Sequence, residues 1–316
     1  NEVFVFILDW LSDDLNIKIQ SSGSTGQKKV FLAQKNAMIQ SAINTGKFFK
    51  LKEGDRTLLC LPISFIAGKM VVARALVLGL DLFVQKPDDS PIKDSSKSFE
   101  FVAMTPYQLE KSIPYINKIN CLIVGGSPTR PALQKQLFNN SLGVFETYGM
   151  SETLSHVAIK SLSKGENGFT AIPGVSFKSR QGYLEINAPY LSNLPIITKD
   201  KIELVSKTKF IWIGRGDFII NSGGIKILPE EVERTLSFYY LESFAICGVP
   251  DKVLGEKSVL VFEGKIPSDA VNAFQNLKKF ERPKNIYCLK KFERINGKIN
   301  RLQLKKNLLK LINERN

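Results

Sequence analysis

The chain contains a single histidine, four scattered cysteines and no long uninterrupted apolar run. A structural zinc site needs four clustered nitrogen or sulfur ligands, so we expect none. The cysteines, at positions 60, 121, 247 and 288, form no CxxC pair, and we expect no secretory leader, which together favour a cytoplasmic protein. No apolar stretch reaches the roughly 18 residues of a transmembrane helix, so we expect no membrane span.

Positive charge is in excess and is concentrated near the carboxyl end. The net charge is +14, and residues 265–316 hold fourteen lysines and arginines against four acidic residues. A basic surface attracts nucleic acids, acidic proteins or phosphate-rich small molecules, although it can also be a merely solvated face. No nucleic-acid-binding motif accompanies it, so we do not expect a nucleic-acid partner. The sequence leaves a homo-oligomer open.

Short apolar runs alternate with helical patterns over the first half of the chain. This alternation predicts a parallel α/β sheet up to about residue 160. The predicted strands are Thr57–Leu61, Leu80–Val84, Phe101–Met104, Cys121–Val124 and Val144–Tyr148, and the predicted helices are Asn36–Phe49, Gly68–Leu78, Pro106–Ser112 and Pro131–Phe138.

The pattern changes after residue 165. Period-two alternation between 165 and 212 predicts an antiparallel β-subdomain. Beyond Gly214, helices and strands alternate again, and Leu304, Leu308 and Leu311 form one stripe of a last helix. We therefore predict two domains, residues 1–213 and a small α+β domain over residues 214–316, with a hinge at Asp217.

Two segments have the composition of ligand-binding loops. Residues 21–29, SSGSTGQKK, combine glycines, hydroxyls and lysines, which suits phosphate binding but equally a flexible connection. Residues 146–153, ETYGMSET, follow a predicted strand, where open α/β sheets bind ligands. There Tyr148 offers a stacking face, Ser151 a phosphate donor and Glu152 a carboxylate for Mg²⁺, unless the segment is simply a strand, turn and helix cap.

Eight motifs occur in an order that resembles the adenylate-forming enzymes, the acyl-CoA synthetase, adenylation-domain and luciferase superfamily. They are SSGSTGQKK, LPISFIAG, GGSP, TYGMSE, TKD, GRGD, PEEVE and NGKINR. The resemblance implies that family's α/β fold, with a large α/β part, a β-subdomain and a small mobile α+β carboxyl-terminal domain. The phosphate loop begins about twenty residues into the chain, so we expect a truncated amino-terminal region.

The resemblance also implies which residues bind ATP. The loop expected to bind the phosphates contributes Ser22, Gly23, Ser24, Thr25, Gly26 and Lys29. The residues expected to bind adenine, ribose and the α-phosphate are Gly126, Ser127, Tyr148, Gly149, Ser151, Asp200 and Arg215. Two positions depart from the family pattern: Lys28 replaces a proline, and Lys199 replaces the glycine of a TGD motif.

The implied reaction activates a carboxylic acid with ATP and passes it to a thiol. Lys298 and Glu152 are the expected catalytic residues, with Mg²⁺ on Glu152, and Asp217 is the expected hinge between the two half-reactions. ATP, Mg²⁺ and coenzyme A are the expected cofactors, and a small carboxylic acid is the expected substrate.

The motifs are most similar to those of compact o-succinylbenzoate–CoA ligases of menaquinone biosynthesis. Phe65, where the family often has histidine, and His156 are then expected in the acid-binding pocket, although each could be structural. Other acyl-CoA synthetases, and adenylation proteins that load an acidic carrier protein, would use the same residues. A degenerate nucleotide-binding protein is the non-enzymatic alternative.

Overall fold

A computed structural model describes residues 2–20, 30–93, 95–139, 141–295 and 298–314, without the side chains of Ile295 and Lys298. The helices are α1 (Glu2–Leu11), α2 (Lys35–Phe49), α3 (Ile66–Leu78), α4 (Pro106–Ser112), α5 (Pro131–Leu137), α6 (Pro229–Leu236) and α7 (Arg301–Asn313). The strands are β1 (Asn16–Gln20), β2 (Val30–Gln34), β3 (Arg56–Leu59), β4 (Asp81–Val84), β5 (Phe99–Met104), β6 (Ile119–Val124), β7 (Gly143–Gly149), β8 (His156–Ser161), β9 (Phe169–Ala171), β10 (Ser176–Arg180), β11 (Tyr183–Asn187), β12 (Ile196–Ser206), β13 (Lys209–Arg215), β14 (Ile220–Ser222), β15 (Ile225–Ile227), β16 (Phe244–Asp251), β17 (Gly255–Glu263), β18 (Asn285–Leu289), β19 (Arg294–Ile295) and β20 (Lys298–Ile299).

Five parallel strands, in the order β7-β6-β5-β3-β4, form the first part of the large sheet. Successive residues of β5 face opposite cores: Phe101 packs with α1, α2 and α3, and Val102 packs with α4 and α5. Strands that are buried on both faces read as continuous apolar runs, which is why these strands are visible in the sequence. The predicted parallel α/β region is confirmed.

The predicted antiparallel strands are present, but they extend the same sheet. Strand β8 turns back on β7, and the order continues β8-β9-β13-β12-β11-β10 to give eleven strands. A core of aromatic side chains, including Phe169, Phe177 and Phe210, packs against this extension. The extension carries residues of β12 and β13 towards the end of β7.

A second sheet follows, in the order β15-β14-β17-β16, with β18 parallel to β17. Helix α7 packs on it through the buried Leu304 and Leu308, two residues of the predicted stripe. The chain passes between the sheets through a short 3₁₀ helix at Gly216–Phe218. The domain division between residues 213 and 214 and the hinge at Asp217 stay predictions.

None of the helices in the described ranges combines the length and the apolarity that a membrane-spanning helix needs.

Candidate active site

The loops that follow β6 and β7 meet at one edge of the large sheet. The carboxyl ends of adjacent parallel strands share this edge, which is where open α/β sheets bind ligands. A Cβ atom at Gly125 would lie 2.3 Å from Oγ1 of Thr147, so only glycine permits this approach. Gly126 has φ of 95°, a left-handed conformation that favours glycine. Backbone atoms of the GGSP segment, with the half-buried Ser127, therefore line this edge.

A tight turn after β7 presents Ser151 and Glu152. A Cβ atom at Gly149 would lie 2.4 Å from the carbonyl oxygen of Ser155, because the chain folds back on itself. Leu154 has φ of 60°, which costs about 1–3 kcal/mol for a bulky residue. Glu152 is exposed and Ser151 is half-buried. The turn thus holds an exposed carboxylate and a half-buried hydroxyl at the sheet edge, in a conformation that the sequence did not predict.

Asp200 lies at the centre of a hydrogen-bond network across β7, β12 and β13. The Tyr148 hydroxyl donates to its Oδ2 at 2.6 Å, and the indole N–H of Trp212 donates to its Oδ1 at 3.0 Å. The backbone N–H of Asp200 donates to Oγ1 of Thr198 at 3.1 Å. Burial, together with the nearby Asp200 carboxylate, raises the pKa of Tyr148 far above its usual value. Tyr148 therefore stays protonated and remains a donor.

Arg215 lies opposite Asp200 in the β12–β13 register. Its Nη2 atom contacts Oδ2 of Asp217 at 2.8 Å, and Nζ of Lys199 contacts Oδ1 of Asp217 at 3.0 Å. Burial acts to raise the pKa of Asp217, but the hydrogen bonds from Arg215 and Lys199 outweigh it and hold the pKa below its usual value. The lysine that replaces a family glycine therefore pairs with the predicted hinge residue.

His156 begins β8 and is buried as a neutral side chain. Its Nε2 atom lies 3.2 Å from Oγ1 of Thr45, whose hydroxyl donates to the carbonyl of Ser41, so Nε2 is the donor. Its Nδ1 atom can then accept from the Ser155 hydroxyl at 3.3 Å. Burial, followed by the charge of Arg74, lowers the pKa of His156 to about 3. His156 can thus offer hydrogen bonds, but no charge at neutral pH.

Arg74 is a candidate site residue that the sequence analysis did not single out. It lies on α3 and is only 3% exposed. Its Nε atom has no hydrogen-bond partner, and no carboxylate of the described chain lies within ion-pair distance of it. Burial lowers its pKa to about 10, so it is charged at neutral pH. The sequence signal that could have identified Arg74 is its position as a cation inside an apolar segment, between Met70–Ala73 and Ala75.

Phe65, one of the two acid-pocket candidates, lies beside Gln20, the residue before the predicted phosphate loop. Strands β1 and β2 pair as far as Gln20 and Val30, and Gln20 also bridges to the half-buried Phe65. The predicted phosphate ligands Ser22, Gly23, Ser24, Thr25, Gly26 and Lys29 lie outside the described residues. Lys298 lies in β20, and its side chain is likewise outside the description.

Comparison with known proteins supports the same class of enzyme. The family model described as AMP-binding enzyme matches residues 10–178. The chain is 25% identical to a 2-succinylbenzoate–CoA ligase of Geobacillus sp. (strain WCH70), over 93% of this chain and 69% of that protein.

Two solved structures share the fold. An acyl-CoA synthetase (AMP-forming)/AMP-acid ligase II-like protein from Dyadobacter fermentans is 31% identical, with a TM-score of 0.65 over 98% of this chain and 93% of that chain. The o-succinylbenzoate–CoA synthetase of Bacillus subtilis, solved with ATP and magnesium, is 20% identical, with a TM-score of 0.81 over 91% of this chain and 69% of that chain. Because the family match covers more than half of its residues, this chain belongs to the AMP-binding enzymes, and it is an AMP-forming acid–CoA ligase of the adenylate-forming class.

Proposed function

We propose that the protein is a cytoplasmic enzyme that converts o-succinylbenzoate, ATP and coenzyme A into o-succinylbenzoyl-CoA, AMP and pyrophosphate. The observation that carries this choice of acid is the buried Arg74, whose Nε atom has no hydrogen-bond partner and which pairs with no carboxylate of the described residues. An ionised guanidinium removed from water is costly unless an anion pairs with it. An acid with a second carboxylate supplies that anion, whereas a fatty acid or a simple benzoate does not.

Arg74 lies beside the side chains that join α3 to the candidate active site. Its guanidinium is 5.6 Å from the ring centre of Phe101, and Phe49 contacts both Phe101 and His156 through its ring. His156 in turn pairs with Gly149 in the β7–β8 register. A continuous series of ring contacts therefore runs from the buried cation to the end of β7. An aromatic acid fits such a series, with its ring against Phe49 and its second carboxylate at Arg74.

The hydrogen-bonding state of His156 suits an oxygen-rich acid. A neutral imidazole flanked by the Thr45 and Ser155 hydroxyls forms a polar strip beside the guanidinium. These groups can reorient to donate to a carbonyl or a carboxylate oxygen without adding a second charge. Because the cation is supplied by Arg74, His156 is assigned a neutral role.

ATP would bind along the edge formed by the loops after β6 and β7. Tyr148 and the GGSP backbone suit the adenine, and Asp200 with Arg215 suits the ribose. The loop of residues 21–29 has the composition to hold the phosphates. Glu152 offers an exposed carboxylate, a ligand type that Mg²⁺ uses together with substrate phosphates, and the metal would offset phosphate charge.

The reaction then has two steps. A carboxylate oxygen of the acid attacks the α-phosphorus, the bond to the bridging oxygen breaks, and pyrophosphate leaves. We assign Lys298 to offset the negative charge that builds up in this step. The sulfur of coenzyme A next attacks the acyl carbon, the thiol proton is released, and AMP leaves with its oxygen. Rotation of the second domain about Asp217 would switch the enzyme from the first step to the second. This rotation must break the ion pairs of Asp217 with Lys199 and Arg215.

The test is thioester formation by the purified chain, followed by mass spectrometry. The acids compared are o-succinylbenzoate, 3-benzoylpropionate, benzoate and a medium-chain fatty acid. The second acid keeps the carboxyl that reacts and lacks only the ring carboxylate, so it is the matched control. We expect o-succinylbenzoate to be the best substrate by at least about 30-fold over 3-benzoylpropionate, as expected for one buried charge pair. Equal rates with these two acids would refute the assigned substrate, and no AMP formation with any acid would refute the proposed reaction.

A further inference from the structure

The Asp200 carboxylate is held by one donor on each oxygen. Tyr148 donates to Oδ2 at 2.6 Å and Trp212 donates to Oδ1 at 3.0 Å. An ionised carboxylate has about four acceptor sites, so each oxygen keeps one. A carboxylate with a single donor can rotate about its Cβ–Cγ bond, whereas donors on both oxygens fix its plane. The arrangement therefore presents two acceptors in a fixed orientation.

We propose that Trp212 is a positioning residue that orients Asp200 for the two neighbouring hydroxyls of ribose, so that the site selects ribonucleotides over deoxynucleotides. This inference rests on the proposed function, which places ATP beside Asp200. Two vicinal hydroxyls are two donors at a fixed spacing, and they match one free acceptor on each oxygen. Loss of either hydroxyl leaves one buried acceptor without a partner, which is costly.

Trp212 is itself held in place from α6. The guanidinium of Arg234 lies 5.8 Å from the centre of the Trp212 ring. The same group donates to the backbone carbonyls of Trp212 and Ile213, both at 3.1 Å. On the neighbouring strand, Ile202 lies opposite Trp212. The indole N–H is thus a fixed donor, because both its ring and its backbone are constrained.

Nucleotide titrations without acid or coenzyme A test the proposal separately from catalysis. The proteins are the wild type, Trp212→Phe and the control Trp10→Phe, which removes the other tryptophan, on α1. The ligands are ATP, 2′-deoxy-ATP and 3′-deoxy-ATP, measured by calorimetry with magnesium. We expect the wild type to bind ATP about tenfold more tightly than either deoxynucleotide. Trp212→Phe should weaken the binding of ATP about tenfold and the binding of the deoxynucleotides less than about twofold, so the preference for ATP disappears. Trp10→Phe should keep the wild-type preference for ATP.

Equal weakening of all three nucleotides by Trp212→Phe would overturn the proposal, because it would indicate a general packing role. A wild type that fails to bind ATP would refute the proposed function itself. A second measurement covers the case in which Trp212→Phe does not fold. The chain has two tryptophans, and therefore two indole N–H signals in an NMR spectrum. Asp200→Asn should shift the Trp212 signal and leave the Trp10 signal in place; no shift would overturn the assigned hydrogen bond.

Discussion

Replacing Arg74 with methionine should make the protein more stable and less active on o-succinylbenzoate. Arg74 is 3% exposed, and its buried Nε atom has no hydrogen-bond partner among the described residues. Methionine is unbranched and of similar length, so it can fill the same space without a charge. Exchange of buried ionic groups for well-packed apolar ones is often neutral or stabilises proteins by about 1–4 kcal/mol. We expect the unfolding midpoint to rise, by up to about 6 °C.

The same change should remove the partner of the second carboxylate. Loss of one member of a buried, hydrogen-bonded charge pair costs about 2–5 kcal/mol. This corresponds to a fall in kcat/KM for o-succinylbenzoate of at least about 30-fold, since 1.36 kcal/mol is a factor of ten. The value for 3-benzoylpropionate should change less than about threefold, because that acid presents no charge to residue 74.

Thermal unfolding and thioester formation, measured on the same samples, check both parts. Arg282→Met is the matched control, because that arginine is exposed and donates to the backbone carbonyl of Leu277. It should alter neither measurement. The reasoning fails if Arg74→Met lowers the unfolding midpoint, or if the two acids lose activity equally.

Three further outcomes are expected. Lys298→Ala should slow acid-dependent pyrophosphate release by about 10²- to 10³-fold and spare thioester formation from supplied acyl-AMP; equal loss in both assays would exclude the assigned role. Gly149→Ala should lower the free energy of unfolding by about 1–3 kcal/mol in denaturant titrations, because the new Cβ would lie 2.4 Å from the Ser155 carbonyl, and an unchanged midpoint would contradict that geometry. Arg294 holds the pKa of Glu263 at about 2, so the pair stabilises the fold above the unfolded pKa of 4.5 and loses this effect as the pH falls towards 2. Glu263→Gln should therefore cost about 1 kcal/mol or less at pH 7 and nothing near pH 2 in unfolding curves, and a pH-independent difference would argue against the ion pair.

The parallel part of the fold was predictable because its strands are buried on both faces. Such strands contain short apolar runs, as in residues 121–124 of β6, and the helices between them keep a helical period, as in α2. The antiparallel strands were also visible as alternating residues. Their attachment to the parallel strands was not, because strand order depends on pairings such as Phe210 with Phe169, which are distant in sequence.

Some residues of the candidate site were likewise predictable from the sequence, and others were not. Tyr148 and Asp200 belong to sequence motifs, and the structure places them in direct contact. Arg74 and Trp212 belong to no motif, and their importance depends on neighbours in space. A buried arginine looks like any other helical cation until its surroundings are known. The indole of Trp212 looks like a core residue until its N–H is seen to face a carboxylate.

The junction between β9 and β13 would give a nucleotide bound as proposed a mechanical role. The two strands share two residue pairs, and strands β10 to β13 lie beyond this short contact. Tyr148 belongs to one side of the junction and Asp200 to the other. A nucleotide that contacts both would tie the outer four strands to the rest of the sheet. Local opening of those strands would then require that ATP dissociate, so the free energy of ATP binding would add to the free energy of opening. Amide hydrogen exchange in the outer strands would slow when ATP is bound, because the substrate would stabilise the sheet on which it reacts.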